Sequence, residues 1–170
     1  TGEETGVFTF FFEKEQLLKK KLLNNNDIKN FQKKLLKIYR EKNLVEEKSN
    51  YIFTDKSLEN FFYIDLIIKI FPQAKIIDCR RNVLSSIMSI LQNNLTGLPW
   101  AHNLEYIFQY FDNYFKITEN YKKIYPNFIY ELEFEKLIND PEVESKKLLK
   151  FCNLPWSKNC LEYYKRKDII

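Results

Sequence analysis

The sequence predicts a helix-rich α/β layered domain, a mainly parallel sheet flanked by helices. Three observations carry that expectation. Short β-rich runs alternate with longer stretches of helical periodicity. Helices join those runs, as parallel pairing through crossovers requires. At 170 residues, 45% hydrophobic and 16% aromatic, the chain also has ample material for one core. One domain over 1–170 is expected, cut at both ends, since Thr1 is no initiator and KRKDII carries no helix-ending signal.

Taken in order, two amphipathic helices come first, at about 13–23 and 27–42. The second starts at Asp27 as a cap and repeats Ile28, Phe31, Leu35 and Ile38 at helical spacing. NYIFTDK reads as a short strand ending in Asp55 and Lys56. Ser57 can cap the next helix, whose Phe61, Ile64, Leu66, Ile67 and Ile70 run up to Pro72. Ala74 to Cys79 has the length and β-branched content of a buried strand. It runs into Arg80 and Arg81, then into a helix capped by Asn82. On that helix Leu84, Ile87, Met88 and Leu91 gather on one side, and Ser85, Ser86, Ser89 and Asn93 on the other. A guanidinium beside a helix N-terminus is what an anion site needs.

LTGLPWAHN is the clearest loop. A long helix at about 104–124 carries Leu104, Ile107, Phe108, Phe111 and Phe115 on one stripe and stops before Pro126. NFIYELEF reads as another strand. Asp140-Pro141-Glu142 has a cap, proline at the first helical position and an acid in the first turn. That helix ends near Cys152, and a last helix begins at Ser157.

Composition narrows the function classes. The net charge is +4, and Lys alternates with Glu along helices, which argues against nucleic acid as a partner. EKEQLLKKKLL reads as a solvated helix face. Cys79, Cys152 and Cys160 lie far apart without metal spacing, so reduced thiols, no metal site and an intracellular setting are expected. That setting is the cytoplasm, or the Golgi lumen if the source is eukaryotic. No apolar run reaches the ~20 residues of a membrane span.

The ordered set TDK, IFPQAKIIDCRRNVLSSIMS, FEKLINDPE and LLKFCNLPW resembles the sulfotransferase family. The likeness is nearest to the branch of tyrosyl-protein sulfotransferases and bacterial sulfotransferases with tetratricopeptide repeats, and upstream repeats are compatible with it. The resemblance spans Gly2 to about Asp168. It implies a P-loop-NTPase-like fold and transfer of a sulfuryl group from 3′-phosphoadenosine 5′-phosphosulfate (PAPS). The acceptor would be a hydroxyl on a carbohydrate, a peptide tyrosine or a small molecule, and 3′,5′-ADP the product. Sulfuryl carries one negative charge fewer than phosphoryl, so no metal is demanded.

The resemblance assigns roles residue by residue. Arg81 and Ser89, eight residues apart, look like the pair that holds the 3′-phosphate. The bland alternatives are a surface salt bridge and an ordinary polar helix position. Arg80, on the other side of the strand, reads as structural or substrate-side. Lys56, 15 residues before Phe71, resembles the lysine beside the transferring sulfuryl group, where an ammonium stabilises the leaving oxygen. TGEETG resembles the segment that supplies the catalytic base, which carries over to Glu4, with Glu3 as competitor. Tyrosyl-protein sulfotransferases have arginine where this chain has Gly6, and another where it has Asn93. His102 follows the arginine strand, so a loop or substrate-pocket role is expected. FEKLINDPE and NLPW read as architecture, with Trp156 a core or lid aromatic.

The family's 5′-phosphosulfate loop, of PRSGTT type, is not formed around Gly2, Gly6 or Gly97; the family order places it upstream of Thr1. Further nucleotide contacts would lie beyond Ile170. The segment alone is therefore expected to be inactive. The rival readings are a nucleotide-dependent kinase of related fold, with an upstream phosphate loop and Mg²⁺, and a non-catalytic helix-rich interaction module.

Overall fold

A computed structural model describes residues 5–15, 24–43, 52–93 and 95–165, at Tyr163 the backbone alone. The chain divides into two compact units, Thr1–Ala74 and Lys75–Ile170.

In the first unit, helix α1 (Val7–Lys14) places Val7, Phe8, Phe11 and Phe12 on one buried stripe. It begins ahead of the span expected from periodicity, and the expected residues 16–23 lie outside the described ones. Helix α2 (Asn25–Glu41) buries Phe31, Leu35 and Tyr39, with Ile28 and Ile38 half-buried. Its cap is Asn24, not Asp27. The Asn24 side chain accepts from the N–H groups of Asn26 and Asp27, and Asp27 becomes the acid of the first turn. A 3₁₀ turn, Leu58–Tyr63, leads into α3 (Ile64–Ile70). Aromatic rings join α1 to α2 and to the 3₁₀ turn: Phe11 meets Phe31 at 5.8 Å and Phe12 meets Tyr63 at 5.0 Å between centroids.

The strand expected at NYIFTDK is absent from its described part, residues 52–56. Side chains meet this segment's hydrogen-bonding needs instead. Asp55 Oδ1 accepts from the Ser57 N–H at 2.9 Å, an Asx-turn that bends the chain away from a ladder.

In the second unit, β1 (Ile76–Arg80) and β2 (Ile129–Glu133) pair in parallel, with Ile76 opposite Ile129 and Arg80 opposite Glu133. Helices α4 (Val83–Gln92) and α5 (Leu104–Ile124) form the crossover, with a 3₁₀ turn at Pro99–His102 between them. Helices α6 (Phe134–Asn139) and α7 (Pro141–Phe151) follow β2. The fold is thus α/β, helix-rich, with a small parallel sheet. Ser157 caps only a 3₁₀ turn, Lys158–Leu161, in place of the expected last helix.

The pleat sorts side chains between two helices. Asp78, Arg80 and Glu131 face α5, where Asp78 accepts from Tyr114 and pairs with Arg80 and Lys122 at 3.0 and 2.9 Å. On the other face Tyr130 packs on Phe151 of α7 at 5.3 Å. Trp156 folds back onto α7, donating from Nε1 to Ser145 Oγ at 3.0 Å. No described helix is long and apolar enough to cross a membrane.

Candidate functional site

Parallel pairing puts the carboxyl ends of β1 and β2 side by side, the usual place for ligands in open α/β sheets. Arg81 is the first residue past β1 and Phe134 the first past β2, so the register that aligns Arg80 with Glu133 brings them together. The Arg81 guanidinium lies over the Phe134 ring, 5.6 Å from its centroid. Arg81 is exposed and makes no salt bridge among the described residues.

Asn82 then caps α4, its side-chain oxygen accepting from the Ser85 N–H at 3.0 Å. Its own N–H donates to Glu135 Oε1 at 2.9 Å. The bond from Asn82, a bond to its own N–H and the Arg81 charge hold the Glu135 carboxyl below its ordinary range. Arg81 beside the N-terminus of a capped helix of 10 residues is an arrangement that can receive an anion. Ser89 is half-buried on α4, its Oγ facing Asn93 Nδ2 at 3.4 Å. Asn93 also donates to the Ser89 carbonyl at 2.7 Å, so it closes the helix end, a cap where the tyrosyl branch has a cation.

The apolar side of α4 is only partly covered. Ile87 is buried, whereas Leu84, Met88 and Leu91 are 71%, 54% and 48% exposed.

Arg80 turns the other way and is structural. It reaches Glu119 at 2.6 Å and Glu131 at 3.3 Å besides Asp78. Burial opposes its charge, but these three carboxylates hold it protonated. His102 ends the 3₁₀ turn within the expected loop, its Nε2 3.1 Å from the Leu95 carbonyl oxygen.

Lys56 belongs to the other unit. It is exposed, between two residues that are firmly held. Asp55 accepts from Thr5 Oγ1 at 2.8 Å, Tyr39 OH at 2.5 Å, Ser57 Oγ at 2.7 Å and Asn60 Nδ2 at 3.0 Å. Burial alone would raise its carboxyl; the bonds from Tyr39, Ser57 and Thr5 outweigh that and lower it. Ser57 Oγ in turn accepts from the Gly6 N–H at 2.9 Å. Gly6 stands at φ 60°, a left-handed geometry where a side chain is strained, and this accounts for glycine at that position. Glu3 and Glu4 lie outside the described residues.

The structure places Arg81 at the strand–helix junction, Ser89 about two turns further along α4 beside its C-cap Asn93, and Lys56 in a braced segment of the other unit. Sequence reasoning did not single out Phe134 or Glu135. Parallel pairing of NFIYELEF with AKIIDCRR was the signal that could have found them. Among the described residues, no group of three His, Cys, Asp or Glu side chains is placed to hold a metal ion.

Comparison with known proteins agrees with the architecture. The model of the sulfotransferase family matches residues 11–158. The chain is also 38% identical over 117 residues to an uncharacterized protein of Aquifex aeolicus (strain VF5), a match covering 66% of this chain and 15% of that protein. The chain thus spans a small part of that relative's length. With the family match running from α1 through the sheet to the last turns, this chain belongs to the sulfotransferase family.

Proposed function

We propose that the chain is the main part of one PAPS-dependent sulfotransferase domain spanning both units, and that it transfers a sulfuryl group to an acceptor hydroxyl. The observation that carries this reading is the exposed Arg81 at the end of a parallel strand, leading directly into a capped helix with Ser89 on it. A cation, a helix N-terminus and a hydroxyl suit a phosphate monoester such as the 3′-phosphate.

In this reading Arg81 and Ser89 hold the 3′-phosphate and orient the donor. The acceptor oxygen attacks sulfur in line, a new S–O bond forms, and the bond from sulfur to the bridging oxygen breaks. The acceptor proton passes to the carboxylate of Glu4, with Glu3 the alternative. The electron pair leaves on the phosphate oxygen of 3′,5′-ADP, where the Lys56 ammonium stabilises it. Support for the last two roles is local. Thr5, next to Glu4 in sequence, is bonded to Asp55, next to Lys56, although 50 residues separate them. The acceptor is a hydroxyl on a carbohydrate, a peptide or a small molecule. Gly6, in place of the tyrosyl branch's arginine, weighs against peptidyl tyrosine.

The test is nucleotide discrimination by the full-length protein, read by calorimetry. Wild type is expected to prefer 3′,5′-ADP to 5′-AMP. Arg81→Ala should lose about 1.5–3 kcal/mol of that preference and Ser89→Ala about 1 kcal/mol. An Arg81→Ala protein that discriminates as well as wild type would overturn the assignment.

A further inference from the structure

Phe134 and Glu135 open α6 just past β2, beside the arginine, and neither takes part in the steps above. Their geometry is specific. An N-cap residue has two groups to settle: a side chain that can accept from the third helical N–H, and its own N–H. In a capping box, a glutamate at the third helical position closes the second half. Here that position is Ser85, whose N–H the Asn82 side chain takes at 3.0 Å. The carboxylate for the Asn82 N–H comes from Glu135, 53 residues further on, at 2.9 Å. One residue back, the Phe134 ring lies under the Arg81 guanidinium. The two residues that follow β2 thus grip the two that follow β1, backbone to carboxylate and guanidinium to ring.

We infer that Glu135 is a positioning residue for Arg81: by holding the Asn82 N–H it sets the turn from which the guanidinium projects, with Phe134 steering the side chain. This rests on the 3′-phosphate reading of Arg81. The opposite role is also physically available to a carboxylate at a helix N-terminus, because it could compete with an incoming phosphate. The two roles differ in sign, so they separate cleanly.

The experiment measures the affinity ratio of 3′,5′-ADP to 5′-AMP in the full-length protein for wild type, Glu135→Ala, Glu135→Gln, Arg81→Ala and the Arg81→Ala/Glu135→Ala double variant. Positioning predicts that Glu135→Ala lowers the ratio by roughly tenfold, as loss of a charged hydrogen bond and its alignment implies. Glu135→Gln keeps an acceptor at the same reach and should return the ratio to within about threefold of wild type. In the double variant the alanine at 135 should add almost nothing, since its effect acts through the arginine. A ratio that rises in either Glu135 variant would make the carboxylate a competitor and overturn the proposal. So would an unchanged ratio in Glu135→Ala accompanied only by a lower melting temperature, which would leave it a plain cap. If Arg81→Ala itself leaves the ratio unchanged, the nucleotide reading fails and takes the positioning role with it.

Discussion

At the scale of single residues, Asp55 does the most to shape its surroundings. Its two oxygens collect bonds from Thr5, Tyr39, Ser57 and Asn60, drawn from parts of the first unit far apart in sequence. Tyr39 is fully buried, and its hydroxyl donates to Asp55. Asp55→Asn removes the charge and turns one acceptor into a donor. We expect a loss of roughly 2–3 kcal/mol at pH 7 by urea unfolding. The pH dependence has a definite sign. The folded-state carboxyl titrates below its ordinary value of 3.8, so its contribution is complete above that value and is lost as pH falls through the lower, folded one. The difference between wild type and variant should therefore hold from neutral pH down to about 4 and narrow below it. A difference that stays constant down to pH 2 would show that the charge is not what Asp55 contributes.

At the scale of elements, capping chemistry was legible in the second unit and less so in the first, where Asn24 caps in place of Asp27 and Ser57 makes no cap bond. Asn82 and Asp140 stand where expected, and Asp140 accepts from the Val143 N–H at 3.2 Å with Pro141 at the first helical position. Asp140→Ala is expected to cost about 1 kcal/mol in denaturant unfolding and Asp140→Asn much less. Equal losses in the two would assign the effect to charge at the helix start and not to the cap bond. Helix faces were harder to read than helix ends. The apolar stripe expected on α5 began at Leu104 and included Phe108, yet both are about half exposed. The inward face instead carries Ile107, Tyr114, Thr118 and Lys122, because α5 lies over the charged face of the sheet. A count of hydrophobic residues passes over a helix that packs through hydroxyls and an ammonium. The same limit hid Glu135, an exposed charge whose role depends on a strand 53 residues away. At 52–56, local β propensity lost to an aspartate that satisfies the backbone itself.

At the scale of the whole molecule, the proposed reaction also needs a base. If Glu4 takes the acceptor proton, Glu4→Gln keeps the shape and removes the basicity. Turnover of the full-length protein should fall by about 10²–10⁴-fold with nucleotide affinity nearly unchanged. Glu3→Gln is the internal control. Equal, small losses in both would place the base elsewhere, and a large loss in Glu3→Gln alone would move the role by one residue. The parallel pairing of β1 with β2 has a consequence for how such a chain can change over time. The two sides of the proposed anion site meet through ladder register, not through the chain that joins them. Loop-closure entropy grows only with the logarithm of length, about 0.6 kcal/mol for each doubling. The exposed Thr96–Gly97 bend in that crossover can therefore grow, shrink or be exchanged at little thermodynamic cost, while Arg81 and Glu135 stay in register. Under the proposed reading, that bend can be reworked without disturbing the residues assigned to the donor's 3′-phosphate.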